Sequence, residues 1–273
     1  MNNYYKNRIT VDLQLKGKSA FISGSTQGIG LAIAEQLLQE GVAVIINGRD
    51  AVKTQKVLEQ LHSKFPDGVV SAIVADFSDK QNVEELISNL DDVDILINNV
   101  GVFGVKSFFE TPEEDWYQYF EVNVMSGMRL SKKLLPGMVD RNFGRIIFIS
   151  SESGVNVPEN MIHYGMSKAA MSALSNGLSK LTRGTAVTVN TILGGPTYSD
   201  GVAQAVEYIA QTQQMDVTTM KSAIIQQSNP HILLQRFINP TEIASLAVYL
   251  SSPLSVATNG SGLRADSGVL RII

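Results

Sequence analysis

The sequence predicts an α/β fold: a doubly wound parallel sheet with helices on both faces, carried by a single domain over residues 1–273. Three observations predict it. Short β-branched or apolar runs alternate with longer helix-like stretches, the pattern of strands joined by helical crossovers. The second apolar run, residues 42–47, has no polar alternation, as a strand covered on both faces requires. No linker, repeat or low-complexity segment divides the chain.

The elements follow in order. Residues 19–23, Ser-Ala-Phe-Ile-Ser, read as the first strand. Residues 29–39 read as a helix with Ile29, Ile33, Leu37 and Leu38 on one face, stopped by Gly41. Residues 42–47, 69–75, 94–97, 145–150 and 187–193 are further strands, and Gly262–Ala265 is a last one. Between about residues 197 and 236 the rhythm breaks. Apolar residues at helical spacing, Val202, Val206 and Ile209, then Met220, Ile224 and Ile225, mark a helical excursion beside the active site.

Composition narrows the function classes. The absence of cysteine removes disulfides, iron–sulfur clusters and thiolate zinc sites. His62, His163 and His231 lie far apart without metal-ligand spacing, so no metal is expected. A formal charge of −4 with no Lys/Arg-rich block argues against a nucleic-acid partner. Residues 1–18 contain no apolar stretch like the core of a signal peptide. No segment approaches the ~18 apolar residues of a membrane helix. The expectation is a cytoplasmic protein with no membrane partner.

The first strand runs into Ser23-Gly24-Ser25-Thr26-Gln27-Gly28-Ile29-Gly30, within which a helix begins. Gly24 permits a tight turn, Gly28 a close backbone approach, and Gly30 close helix–strand packing. The helix start offers unpaired N–H groups and a positive dipole end to a pyrophosphate. Taken alone, the glycines also suit a plain strand–helix turn.

A second constellation carries chemistry. Tyr164 and Lys168 are four positions apart and share one helical face. An isolated tyrosine has a pKa of about 10, too high for a base at neutral pH. A neighbouring ammonium stabilises the phenolate and makes the pair a usable acid–base. Ser151, just past a strand end, can hydrogen-bond the same substrate oxygen. Each residue alone has a plainer structural role, and Ser150 and Ser151 compete for this one.

The order and spacing of these landmarks resemble those of the short-chain dehydrogenase/reductase family over residues 16–268. The matching positions are Gly24/Gly28/Gly30, Asp76, Asn98-Asn99-Val100-Gly101, Asn123, Ser151 and Tyr164-Gly165-Met166-Ser167-Lys168. The resemblance implies a Rossmann-like oxidoreductase that moves a hydride between nicotinamide and a carbonyl or alcohol substrate. It implies loop contacts to the cofactor from Gly24, Ser25, Gln27, Gly28, Ile29 and Gly30. Asp76, with Phe77 beside it, would meet the adenine, Asn98 and Gly101 would line the cofactor, and Thr197 would meet the carboxamide. Tyr164 and Lys168 would also touch the cofactor, Lys168 through the nicotinamide ribose. Asn123 would support a water that links Lys168 to solvent. A homotetramer or homodimer packed through the helices near Asn123 and Tyr164 is the implied assembly. The apolar C-terminal end, residues 269–273, could pack there or on its own domain.

In such folds an acid at the end of the second strand favours NAD, and a base there favours NADP. Here Gly48 stands at the acidic position and Arg49 follows, so NADP is expected, with NAD as the alternative. Arg49 paired with Asp50 or solvated is the structural alternative. Four departures from the family pattern stand out: Ser23 for Thr, Val100 for Ala, Gly194-Gly195 for Pro-Gly, and Asp266-Ser267-Gly268 for Asp-Gly-Gly. The rival function is an NADP-binding sensor or scaffold without turnover. An epimerase or a methyltransferase on a similar sheet fits less well, because the first usually carries a separate substrate domain and the second has no use for Tyr164 and Lys168.

Overall fold

The structure is a computed structural model and describes residues 11–271. The opening stretch up to residue 10, and Ile272 and Ile273 of the apolar end, lie outside the described residues.

Seven parallel strands form one sheet in the order β3-β2-β1-β4-β5-β6-β7. They are β1 (Ser19–Ile22), β2 (Ala43–Gly48), β3 (Val70–Val74), β4 (Ile95–Asn98), β5 (Gly144–Ser151), β6 (Val187–Gly194) and β7 (Gly262–Ala265). Side chains alternate across a strand, and the sheet sorts them accordingly. Ala20, Ile22, Ile95, Ile97, Ile147 and Ile149 enter one core, and Phe21, Leu96, Ile146 and Phe148 the other.

Helices α1 (Gly28–Gln39), α2 (Ala51–Lys64) and, late in the chain, α9 (Pro240–Ser251) supply the first core through Ile33, Leu37, Val57, Leu61, Ile243 and Ala247. The second core is closed by α3 (Lys80–Asn89), α5 (Ser126–Asp140) and α6 (Ile162–Ser179), through Val83, Leu86, Leu130, Leu134 and Met171. The short α4 (Glu113–Phe120) leads into α5. Local signals set the helix starts. Asp50 accepts from Lys53 N–H at 2.8 Å, Asp79 caps α3, and Asn239 and Glu242 form a capping box with Pro240 at the first turn of α9.

The excursion folds as α7 (Asp200–Thr212) and α8 (Val217–Ser228). Val206, Ala210, Met220, Ile225, Ile232 and Phe237 build a third, smaller core, with Val202, Ile224 and Val269 packed against it. Ile209 departs from the expected face and is exposed. Leu270 is buried, so the described part of the C-terminal end packs on its own chain.

Because β1 leads to β2 and β3 on one side while β4 to β7 extend on the other, the sheet reverses its winding between β1 and β4. A crevice opens at the carboxyl ends of those two strands, and ligands of such sheets bind there.

Candidate active site

The glycine loop leaves β1 into that crevice. Gly24 and Gly28 have φ of +61° and +57°, in the left-handed region that favours glycine. A Cβ on Gly30 would lie 2.5 Å from Asn99 Nδ2 and 2.6 Å from the Gly24 oxygen, so a bare backbone is required there. Two asparagines clamp the loop. Asn47 Oδ1 accepts from Gly24 N–H at 3.0 Å, and Asn99 Nδ2 donates to the oxygens of Ser23 and Gly24 at 2.9 and 2.8 Å. Ser23 keeps the hydroxyl role of the usual Thr: its Oγ accepts from Asn99 and Val100 N–H, both at 3.0 Å.

Not every expected cofactor contact points into the crevice. The Ser25 hydroxyl donates to the Ile22 oxygen and accepts from Asn47 N–H, and Ser25 N–H donates to the Asn47 oxygen. Ser25 therefore shapes the loop and has no donor left for a ligand. Asn98, at the end of β4, turns its side chain under α5, where Nδ2 donates to Ser131 Oγ at 3.4 Å. Its buried Oδ1 has no partner among the described residues. The neighbouring Asn99 holds the glycine loop. Phe77 is buried in the second core. Gln27 precedes α1 and its Oε1 accepts from Lys53 Nζ. Ile29 lies in the first turn of α1 and packs against the first core.

Gly48 ends β2 with no room for a side chain: its Cβ would meet Thr54 Oγ1 at 2.4 Å and Thr26 Cγ2 at 2.5 Å. Arg49 follows, exposed at the crevice edge. It acts electrostatically on Asp76, whose carboxyl stands below its ordinary range. Burial alone would raise Asp76; the N–H and hydroxyl of Ser78 at 2.9 and 2.7 Å, with the Arg49 charge, outweigh it.

The reactive group sits across the crevice. Tyr164 and Lys168 lie on one face of α6, with Lys168 Nζ 5.7 Å from the centre of the Tyr164 ring. Ser151, at the end of β5, acts on the Tyr164 phenol. Ser150 turns away and donates to the Lys168 oxygen at 2.9 Å. Lys168 Nζ donates to the Ile149 oxygen at 2.9 Å, and burial pushes its pKa down to about 8. Burial also pushes the Tyr164 phenol well above its ordinary value, a shift that Ser151 opposes. His163, beside Tyr164, is buried edge-on against Tyr119 at 4.4 Å between ring centres, which fixes the start of α6 against α4.

Asn123 lies in a single π-helical turn, Glu121–Met125, between α4 and α5. Such turns widen the backbone and recur at functional sites. Its Oδ1 accepts from Val102 N–H at 2.7 Å, and its Nδ2 donates to the Val102 oxygen and to Ser167 Oγ at 3.0 and 2.8 Å. The side chain thus ties the loop after β4 to α6. A Cβ on Gly101 would lie 3.1 Å from Asn123 Oδ1 and 3.4 Å from Lys168 Nζ, so Gly101 presses against both.

Thr197 Oγ1 donates to the Gly195 oxygen at 2.9 Å, and Thr197 bridges to Ile238. Gly194 is held as a strand residue, in register with Ser151 on one side and Ala265 on the other, so the missing proline leaves no loose loop. Ser267 takes a φ of +53°, and its Oγ and backbone oxygen accept from Leu234 and Leu233 N–H. Val155 and Asn156, after β5, share a cavity of about 440 Å³ with His231 and Ile232 of the excursion.

Two acids escaped sequence reasoning. Asp200, at the start of α7, accepts from Gly28 N–H at 2.7 Å through Oδ2. Glu152, next to Ser151, accepts through Oε2 from the Ser151 hydroxyl and from Ser153 N–H. The Glu152 carboxyl is pushed up by burial, against the hydrogen bonds from Ser151 and Ser153. No cluster of metal-binding side chains exists among the described residues.

The arrangement can bind a phosphate-bearing cofactor at the loop and exchange a proton at Tyr164. Comparison with known proteins agrees. Residues 18–209 match the profile of the short chain dehydrogenase family. The chain is 42% identical over 264 residues to uncharacterized oxidoreductase YvrD of Bacillus subtilis (strain 168), covering 96% of this chain and 99% of that protein. It is 39% identical over 261 residues to uncharacterized oxidoreductase YvaG of the same organism, with the same coverage. Among solved structures, L-sorbose reductase from Gluconobacter frateurii, complexed with NADPH and L-sorbose, matches with a TM-score of 0.89 at 28% identity, over 96% of this chain and 100% of that one. With its sheet order, its glycine loop and its Tyr164–Lys168 pair accounted for, the chain belongs to the short chain dehydrogenase family and is an oxidoreductase of that family.

Proposed function

We propose that the protein is an NADP(H)-preferring oxidoreductase in which residues 1–273 act as one domain on a small-molecule carbonyl or alcohol. The observation that carries this reading is the buried amine of Lys168 lying 5.7 Å from the centre of the Tyr164 ring, with Ser151 at the end of β5 acting on the same phenol.

The residues fit a dinucleotide. The Gly28 N–H at the start of α1 already holds a carboxylate, that of Asp200, so this loop accepts an anion. When bound, the nicotinamide cofactor supplies or accepts the hydride. Gly24, Gly28, Ile29 and Gly30 would hold the pyrophosphate by backbone, and Asp76 would lie at the adenine end. Gly101, Thr197, Tyr164 and Lys168 would line the nicotinamide half. Arg49 offers a guanidinium fork to a 2′-phosphate, and the packed Gly48 position leaves no space for a ribose-binding acid.

In the reductive direction Tyr164 gives its phenolic proton to the carbonyl oxygen, and in the oxidative direction it takes the proton of the alcohol. Ser151 orients that oxygen. Lys168 lowers the cost of the phenolate and, with a pKa near 8, can pass a proton onward. Asn123 positions the path by which that proton reaches solvent. The L-sorbose reductase structure, complexed with NADPH, supports the cofactor assignment.

A homodimer or homotetramer packed through α4 and α5 is the assembly we infer. Phe109 is 94% exposed, and Phe108, Tyr117 and Phe120 are exposed near it. We place the protein in the cytoplasm on composition, and no described helix is long and apolar enough to cross a membrane.

Titration with NADPH and NADH, followed by a carbonyl-reduction panel, tests the reading. Tighter NADPH binding with turnover is expected. Binding without turnover on a broad panel would return the sensor reading, and binding of neither would overturn the proposal.

A further inference from the structure

We propose that Glu152 determines substrate choice: its carboxylate receives a hydroxyl carried next to the reacting carbonyl, so hydroxylated ketones and their diol or polyol products are preferred over plain ketones and keto acids. This inference rests on the reductase reading above.

The argument is a count of protons and acceptors at Ser151. A serine hydroxyl has one proton to give. Here that proton goes to Glu152 Oε2, while Ser151 Oγ accepts from Ser153 N–H at 3.1 Å. Ser151 therefore has no proton left for a carbonyl oxygen. Glu152 Oε2 is further held by Ser153 N–H and the Ser153 hydroxyl, at 2.6 and 3.1 Å. Its other oxygen, Oε1, has no hydrogen-bond partner among the described residues, and no lysine or arginine pairs with it there. That oxygen is open to solvent, so a donor carried by the substrate can take the place of water there.

A substrate hydroxyl supplies that donor. Once it bonds to Glu152, the Ser151 proton can turn to the carbonyl oxygen without leaving the carboxylate bare. A plain ketone brings no such proton and breaks the Ser151–Glu152 bond without replacing it. A keto acid adds an anion to a site where Glu152 already interacts with Asp266, a second acid. Asp266 is paired with Arg264 at 3.1 Å, whereas Glu152 has no such cation among the described residues, so Glu152 disfavours a further negative charge beside it.

The test is NADPH-dependent reduction of 2-hydroxycyclohexanone, cyclohexanone and 4-oxopentanoate by the wild-type protein, Glu152→Gln and Glu152→Ala. The wild-type kcat/KM should favour the hydroxyketone over cyclohexanone by at least about tenfold, as a hydrogen bond to a charged group allows. Both variants should lose most of that ratio and gain relative rate on the keto acid. NADPH affinity unchanged within about twofold would show that the variants are folded. A ratio that persists in both variants overturns the inference. Should the variants fail to fold, a wild-type ratio near one overturns it as well. Turnover with a flat profile removes this inference alone. The absence of turnover on every ketone overturns it too, and failure to bind NADPH removes the reductase reading with it.

Discussion

The carboxylate of Asp200 sits where a cofactor phosphate would meet the glycine loop, 2.7 Å from Gly28 N. A dinucleotide must displace it, so Asp200→Asn should tighten NADPH binding. Two terms set the size. An anion at an exposed helix N-terminus contributes about 0.3–1 kcal/mol, and that contact is surrendered on displacement. Two unit charges about 4 Å apart in water repel by about 1 kcal/mol, less if the side chain swings away. Together they predict a dissociation constant lower by about twofold to thirtyfold, at about 1.4 kcal/mol per tenfold. Asparagine keeps an acceptor of the same length, so the geometry at α7 is preserved. NADPH fluorescence titrations at about 0.01 M and about 1 M ionic strength separate the terms, since screening shortens the reach of charge from about 30 Å to about 3 Å. The gain should shrink at high salt. Weaker binding by Asp200→Asn at low salt would refute the reasoning and make Asp200 a contributor to the bound state.

Other expectations follow from the same geometry. Tyr164→Phe should lower kcat by at least about a hundredfold, the usual contribution of general acid–base catalysis, with NADPH affinity nearly unchanged; lost binding would mean a structural role. Arg49→Ala should weaken NADPH by about tenfold to a hundredfold, as loss of a hydrogen bond to a charged group predicts, and NADH little; equal effects on both would sink the phosphate contact. Gly177 lies inside α6 with nothing within 4 Å of where its Cβ would be. Gly177→Ala should therefore raise stability by about 0.5–1 kcal/mol in urea denaturation. Lys168, held at about 8 rather than 10.5, binds its proton less tightly in the folded chain, so its contribution to stability is unfavourable at neutral pH and improves from about pH 8 to 10.5. That displacement is about 3 kcal/mol, and losing the bond to the Ile149 oxygen costs about 1 kcal/mol. Lys168→Met should thus be inactive yet up to about 2 kcal/mol more stable at pH 7, and a lower unfolding midpoint would contradict this.

The sheet and the reacting groups were legible because each depends on residues near one another in sequence. Strand runs such as residues 145–150 match β5 to within a residue, and the spacing of Ser151, Tyr164 and Lys168 placed all three at one site. Apart from Glu152, the neighbour of Ser151, what escaped reading depends on segments brought together from far apart. Asn47 and Asn99 clamp Gly24 from 23 and 75 positions away, and Asp200 meets Gly28 across 172. Neither side-chain direction nor partner can be read locally at such separations. The side-chain directions of Ser25 and Asn98 were hidden for the same reason: Asn98, at a strand end, faces crevice or helix according to the pleat, and Ser25 bonds back to Ile22 and Asn47. Ile209 shows the converse, since helical periodicity marked an apolar face that the packing of α7 on α8 only partly covers.

The distribution of charge over the crevice also sets how a cofactor would lie in it. Arg49 follows β2, whereas Glu152 follows β5, and β1 and β4 stand between them. Three inter-strand spacings of about 4.8 Å separate the two ends by about 14 Å. The cationic end carries Arg49, and the other carries Glu152, with Asp266 neutralised by Arg264 at 3.1 Å and Lys168 losing its charge as pH rises through about 8. A phosphate-rich ligand is attracted at the first end and repelled at the second. A neutral hydroxylated molecule meets the opposite preference, because Glu152 accepts its protons at the Ser151 end and nothing there requires an anion. Charge alone would then direct the phosphorylated ribose toward Arg49 and the reacting carbon toward Tyr164, before any shape-specific contact is made.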